Sequence, residues 1–171
     1  MTVELLSQKL GRFSGWRRDG VLLRGEGRAG RHTVAVVKPQ TYMNRSGEAF
    51  RELVRQGWIA PEILVALDDV YLPLGTVRLR GSGGTGGHQG LESIRASTGT
   101  DGYPRLRIGV GPAPPSADLP EYVLGRFGPE ERPRLDEALE GAASALYEAA
   151  SSGLTQAMNR WNRFGLDPVE E

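Results

Sequence analysis

Cysteine is absent from the 171 residues, so neither a disulfide nor a thiolate metal site can form. No apolar run reaches the length a helix needs to cross a bilayer. The opening MTVELLSQKL has neither the basic start nor the small-residue cleavage site of a secretory signal. These absences point to a cytoplasmic chain with no membrane partner. Histidine is scarce too, with only His32 and His88 available as imidazoles. Lysine is nearly missing, since 19 of the 21 basic residues are arginine. Arginine suits bidentate phosphate contact, although a GC-rich genome gives the same bias.

What is present is ordinary for one globular domain: 39% hydrophobic and 25% charged residues. The formal net charge is zero, yet it is unevenly spread. Residues 1–110 hold 16 Lys+Arg against 10 Asp+Glu, and residues 111–171 hold 5 against 11. The basic excess falls in the part that carries the motifs below, as an anionic substrate would favour. Chance scatter plus an acidic solvated helix is the alternative.

Val3, Leu6 and Leu10 predict a short opening helix ended by Gly11. Val21–Arg24 and Thr33–Val37 read as strands of a hairpin around the turn-rich GEGRAGR. Lys38-Pro39 should stop the second, because proline cannot donate to a ladder. Ala49, Phe50, Leu53 and Val54 mark a helix from about Ser46 to Gly57. The run EILVAL at 62–67 looks like a central strand buried on both faces. Thr76–Arg80 and Arg105–Val110 read as alternating, half-exposed strands on either side of a helix from about Gly90. The proline-rich GPAPPSADLP is a loop without core residues. Leu135 to Ala149 then give a long helix, and Ala157, Met158 and Trp161 a shorter one. Strands alternating with helices imply an α/β fold, a mixed twisted sheet with helices on both faces.

Three loops at predicted strand ends carry the polar residues, and ligands bind at such ends in open α/β sheets. In KPQTYMNRSG (38–47), Asn44 either caps the following helix or orients a substrate carbonyl or a water. In LDDVYLPLG (67–75), Asp68 and Asp69 either cap a turn or hold and polarise an imidazole. In GSGGTGGHQGLESI (81–94), a glycine-rich loop leads into a helix whose N–H groups can face an anion. No Lys-Ser/Thr follows the last glycine, so this is not a Walker A loop, and the βαβ dinucleotide spacing is missing. A nucleotide-binding reading therefore has little support. His88, where that helix begins, is either structural or part of the cleft.

Taken together, KPQTYMNRSG, LDDVYLPLG, GGHQGLESI, RLRIGVG, YVLGRF and MNRWN resemble, in order, the motifs of the bacterial-type peptidyl-tRNA hydrolases. The likeness runs from residue 1 to about 164. It implies ester hydrolysis of peptidyl-tRNA by general-base activation of water, with no metal and no cofactor. By resemblance, Asn44 positions the ester, Asp68 orients the catalytic histidine, and His88 lines the same cleft as Tyr42 and Gln89. Arg80 and Arg107 fall at positions resembling contacts to tRNA phosphates, which add affinity without reading sequence. A monomer is expected. In the family a strand, a GLGNPG loop and a TRHN motif with the general-base histidine precede the point where this sequence starts. The expectation is a start site set too far downstream, leaving the strand around Glu62–Leu67 with an unpaired edge. Gln89 stands where the family has Asn, and Leu67 and Tyr71 stand where HDDLD has His and Asp, side chains expected beside the cleft. These departures define the competing expectation, a non-catalytic RNA-binding relative.

Overall fold

The computed structural model describes residues 1–165. The fold is α/β, as the alternation of elements implies, with its strands in two three-stranded sheets. The chain contacts form two compact units, each built from separate stretches of sequence.

One unit comprises Ser7–Val65 and Arg80–Arg105. Its sheet is an antiparallel meander of β1 (Arg17–Asp19), β2 (Leu22–Ala29) and β3 (His32–Pro39). The register sets Leu22 opposite Pro39 and Ala29 opposite His32, leaving Gly30-Arg31 as the turn, with Gly30 at φ 56°. The hairpin is therefore longer than the expected Val21–Arg24 and Thr33–Val37. Gly25 and Gly27 lie inside β2 rather than in its turn. The Phe13 ring occupies the place of a Gly25 side chain, and a Cβ on Gly27 would be 2.8 Å from Leu10 Cβ. These glycines are small so that the segment after the first helix can lie on the sheet.

In the same unit, helix α2 (Ser46–Arg55) and helix α3 (Gln89–Thr98) bury Ala49, Phe50, Leu91 and Ile94. The Phe50 ring meets fully buried Tyr103 at 5.1 Å between centroids. Val54, expected in the apolar stripe of α2, is exposed. The helix starts one residue past a three-residue 3-10 turn, Met43–Arg45.

The other unit comprises Met1–Leu6, Ala66–Leu79 and the chain from Leu106. Most of helix α1 (Thr2–Lys9) begins there. The second sheet has the order β4 (Val65–Pro73), β6 (Arg105–Gly111), β5 (Val77–Arg80). Strand β4 thus lies at an edge, not at the centre, and it starts at Val65 instead of Glu62. It runs on through LDDVYLP, so Asp68 and Asp69 sit inside a strand and not in the loop after one. Strand β6 is buried through most of its length instead of alternating, and its first residue, Arg105, is 2% exposed.

Helix α4 (Leu119–Leu124) follows the proline-rich loop and was not legible there; the Tyr122 hydroxyl donates to the Val110 carbonyl at 2.9 Å. Helix α5 (Arg132–Ser152) presents a face of small residues, Ala138, Gly141, Ala142, Ala143 and Ala145, flanked by Leu139 and Leu146. Phe164 sits over Gly141 where a side chain would otherwise stand. Helix α6 (Leu154–Trp161) is followed by Asn162, whose amide brackets Leu79 of β5. Its oxygen accepts from the Leu79 N–H at 2.7 Å and its nitrogen donates to the Leu79 carbonyl at 3.2 Å. The last asparagine of MNRWN is thus a lock on an edge strand. Among the described residues, no helix is long and apolar enough to cross a membrane.

Candidate active site

The segment after β3 is fixed from both ends. The Arg45 N–H donates to the Tyr42 carbonyl at 2.9 Å, and the Ser46 hydroxyl to the Met43 carbonyl at 2.8 Å. Arg45 Nε meets Glu48 Oε1 at 2.7 Å, which holds the Glu48 carboxyl below its ordinary range. Gly47 lets α2 approach α3 closely: its N–H donates to Ser93 Oγ at 3.0 Å, and any side chain there would collide with the Ser93 carbonyl. Gly90 does the same from the other side, since a Cβ on it would lie 2.7 Å from Met43 Sδ.

These two glycines set the 3-10 turn bearing Asn44 against the start of α3, which carries His88 and Gln89. Asn44 caps nothing. The N-caps at this corner are Tyr42 for the 3-10 turn and Arg45 for α2, neither through a side chain. The Asn44 amide is exposed and bonds to no other described residue. Tyr42 stands 80% exposed beside it, and Gln89 is also exposed.

His88 is the N-cap of α3. Its Nδ1 accepts the N–H groups of Gly90 at 3.1 Å and Leu91 at 3.4 Å, and its carbonyl accepts from Glu92 N at 3.0 Å. The N–H groups of Gly90, Leu91 and Glu92 are therefore satisfied within the helix start and are not offered to an anion. An imidazole nitrogen that accepts two N–H groups carries no proton, so the neutral ring holds its proton on Nε2. Whatever His88 contacts through Nε2, it contacts as a donor. In the glycine-rich loop, Gly86 at φ 58° and Gly87 at φ 78° take left-handed conformations that favour glycine. Buried Thr85 bonds Glu92, tying the loop to α3.

Sequence reasoning missed Arg105. Its guanidinium donates from Nη1 to the Gly84 carbonyl at 2.9 Å and from Nη2 to the Asp101 carbonyl at 3.0 Å. It also lies 4.5 Å from the centre of the Tyr103 ring. Burial pushes the Tyr103 phenol up. Arg105 is the internal support of the loop that leads to His88. Its only trace in the sequence is the basic start of RLRIGVG.

In the other unit, the two-residue period of β4 separates its aspartates. Asp69 is buried on the same side as Leu67, and half-buried Asp68 is on the opposite side. Asp69 Oδ1 accepts the Tyr71 N–H at 2.9 Å, and Oδ2 pairs with Arg107 Nε. Arg107, expected as a phosphate contact, is thus engaged with a carboxylate through Nε while its side chain stays 32% exposed. Leu67 belongs to the core and Tyr71 is 66% exposed. Arg80, the last residue of β5, is exposed and has no carboxylate partner among the described residues.

Comparison with known proteins gives one consistent result. The family model described as peptidyl-tRNA hydrolase matches residues 1–168. The peptidyl-tRNA hydrolase of Synechococcus sp. (strain JA-3-3Ab) is 41% identical over 170 residues, covering 95% of this chain and 72% of that protein. That of Chloroflexus aggregans is 45% identical over 164 residues, covering 94% and 86%. The crystal structure of peptidyl-tRNA hydrolase from Acinetobacter baumannii superposes with a TM-score of 0.85 at 33% identity, covering 95% of this chain and 83% of that one.

Proposed function

Because the chain belongs to the peptidyl-tRNA hydrolase family, carboxylic ester hydrolases acting on peptidyl-tRNA, we propose how its own residues serve that reaction. Water adds to the ester carbonyl, a base removes its proton, and the C–O bond to the ribose breaks as the ribose oxygen takes a proton. The Asn44 amide holds the carbonyl or the attacking water. His88, presenting Nε2–H, serves as a donor in the cleft and not as the base. Asp68 orients the imidazole that acts as base, a TRHN histidine in this proposal.

Gln89 and Tyr42 border the Asn44 turn and meet the substrate there. Arg80 contacts a tRNA phosphate, and Arg107 does so through Nη1 or Nη2, because its Nε is taken by Asp69. A monomer in the cytoplasm is the assembly and compartment this proposal takes; a sedimentation coefficient of a dimer would refute the first.

The observation that carries the proposal is Asn44. An amide held on a fixed turn, exposed and without a partner among the described residues, is arranged for something outside the protein. Hydrolysis of an N-blocked aminoacyl-tRNA, measured on these residues preceded by a family segment carrying TRHN, tests it. Asn44→Ala should lower turnover by about 10²-fold, the usual loss for one oxyanion or water-positioning donor. Turnover within threefold of the parent would refute the role.

A further inference from the structure

A further basic segment lies at the tip of the β2–β3 hairpin. Segment 11–14 runs beside β2 as an extra, irregular strand. Gly11 and Arg28 exchange two backbone hydrogen bonds, at 2.9 and 2.7 Å. Ser14 N donates to the Glu26 carbonyl at 2.8 Å, and Glu26 N donates back to Ser14 Oγ at 2.9 Å. Three steps along 11–14 thus match two along 28–26, which is a β-bulge.

Arg12 lies in that bulge at φ 52°, the only non-glycine residue with positive φ among the described residues. Glycine fits this conformation without cost, and an arginine there carries backbone strain. Its side chain is exposed next to Arg28, which is exposed too and donates from Nη2 to the Arg31 carbonyl at 2.9 Å. Arg31 follows on the turn, with exposed His32 beside it. None of these three arginines has a carboxylate partner among the described residues. Glu26, on the same face of β2 as Arg28, is committed to Arg24 at 2.5 Å.

Three exposed arginines thus lie on neighbouring backbone at the hairpin tip with no carboxylate partner among the described residues, and one of them is held there against backbone strain. We propose that Arg12, Arg28 and Arg31 form a contact surface for the phosphate backbone of a folded RNA, an extension of the binding surface rather than part of the cleft. The proposal rests on the reading that the chain handles tRNA. The eight residues of β3 separate this tip from the Asn44 turn by about 25 Å. A ligand touching both must be extended and anionic along its length, which a folded RNA is and a nucleotide or short peptide is not. Such contacts add affinity and salt dependence without sequence preference.

The test is binding of uncharged tRNA to the full 171-residue chain, by anisotropy, over 50–300 mM salt. Replacing Arg12, Arg28 and Arg31 together by Ala should flatten the slope of log affinity against log salt by about two to three. It should weaken binding at least tenfold at about 0.1 M salt. The triple lysine variant should keep the slope, and Arg55→Ala, at the end of α2, should leave it unchanged. Arg12→Gly gives a second, independent reading: its Tm should be equal or higher, since strain is relieved, while the salt slope falls by about one. Equal slopes for parent and triple alanine variant would overturn the proposal. If Arg80→Ala lowers the slope in the same series, the tRNA reading survives that failure. No tRNA binding by the parent chain would overturn both.

Discussion

The Asn44 corner and strand β4 treat their polar residues in opposite ways. At the corner, Ser46 and the Gly47 N–H bond to Met43 and Ser93 and so fix the turn, and the exposed Asn44 amide bonds to no other described residue. In β4, Asp69 spends its carboxylate on Arg107 and the Tyr71 N–H, and is buried in doing so. Asp68, one residue earlier, projects to the other side of the strand. A doublet of identical residues is thereby divided between the two sides of the strand. Asp69 holds it from the buried side, and half-buried Asp68 is the one to which the proposed function gives a role in the chemistry. Asn44 and Asp69 are therefore told apart by their partners, not by their polarity.

The largest effect that would sharpen this contrast is loss of hydrolysis at the corner without loss of stability. Asn44→Ala should cost about 10²-fold in turnover, while its Tm stays within about 1 °C, since no internal bond is removed. Arg107→Met should instead lose stability, together with the tRNA affinity of its proposed phosphate contact. It leaves Asp69 buried and unpaired, and urea unfolding should show a loss of about 2–4 kcal/mol. Replacing Asp69 by Leu in the same chain should restore much of that loss, because an apolar pair avoids the buried charge.

His88→Ala should cost about 1 kcal/mol by removing the cap of α3, and His88→Asn should recover it, since asparagine caps well. If hydrolysis falls in the alanine variant and returns in the asparagine variant, the imidazole acts only through the helix. The smallest effect concerns pH. The Arg95 hydrogen bond holds the Asp101 carboxyl below its ordinary range. A lowered folded value means the pair stabilises above the unfolded carboxyl pKa, about 3.9, and fades as pH falls through the folded value. The Tm of Asp101→Asn should therefore be less sensitive to acid between about pH 5 and 3, by a small margin that high salt erases.

The helices with clear apolar spacing were legible in the sequence, because burying one face of α2, α3, α5 or α6 leaves a period near 3.6. The hairpin was legible as well, though shorter than it is. Its glycines read as a turn because nothing local reveals that Phe13 and Leu10 cover Gly25 and Gly27. Strand β4 was cut short at Leu67 for a similar reason. Two aspartates look like the end of a buried strand until Arg107, 38 residues away, supplies the counter-charge that keeps one of them inside. Arg105 was invisible because its partners are backbone carbonyls, which every sequence offers equally. For Asn44 the sequence left capping and substrate contact both open, and only the caps at Tyr42 and Arg45 remove the first, while His88 was seen at the start of α3 without its cap bonds. Helix α4 has six residues and exposes Leu119, Val123 and Leu124, so no apolar face marks it.

The division of labour within β4 is tested most directly by two single variants, Asp68→Asn and Asp69→Asn, measured side by side. Each is placed in the residues preceded by a TRHN-bearing segment and read for hydrolysis of N-blocked aminoacyl-tRNA, tRNA affinity and Tm. Asp68→Asn should lose about 10²-fold or more in turnover, with affinity and Tm unchanged. Asp69→Asn should lose several degrees in Tm and keep turnover within about tenfold at temperatures where it is folded. The reverse pattern, an Asp68 variant that is active but unstable beside an Asp69 variant that is stable but inactive, would contradict the account.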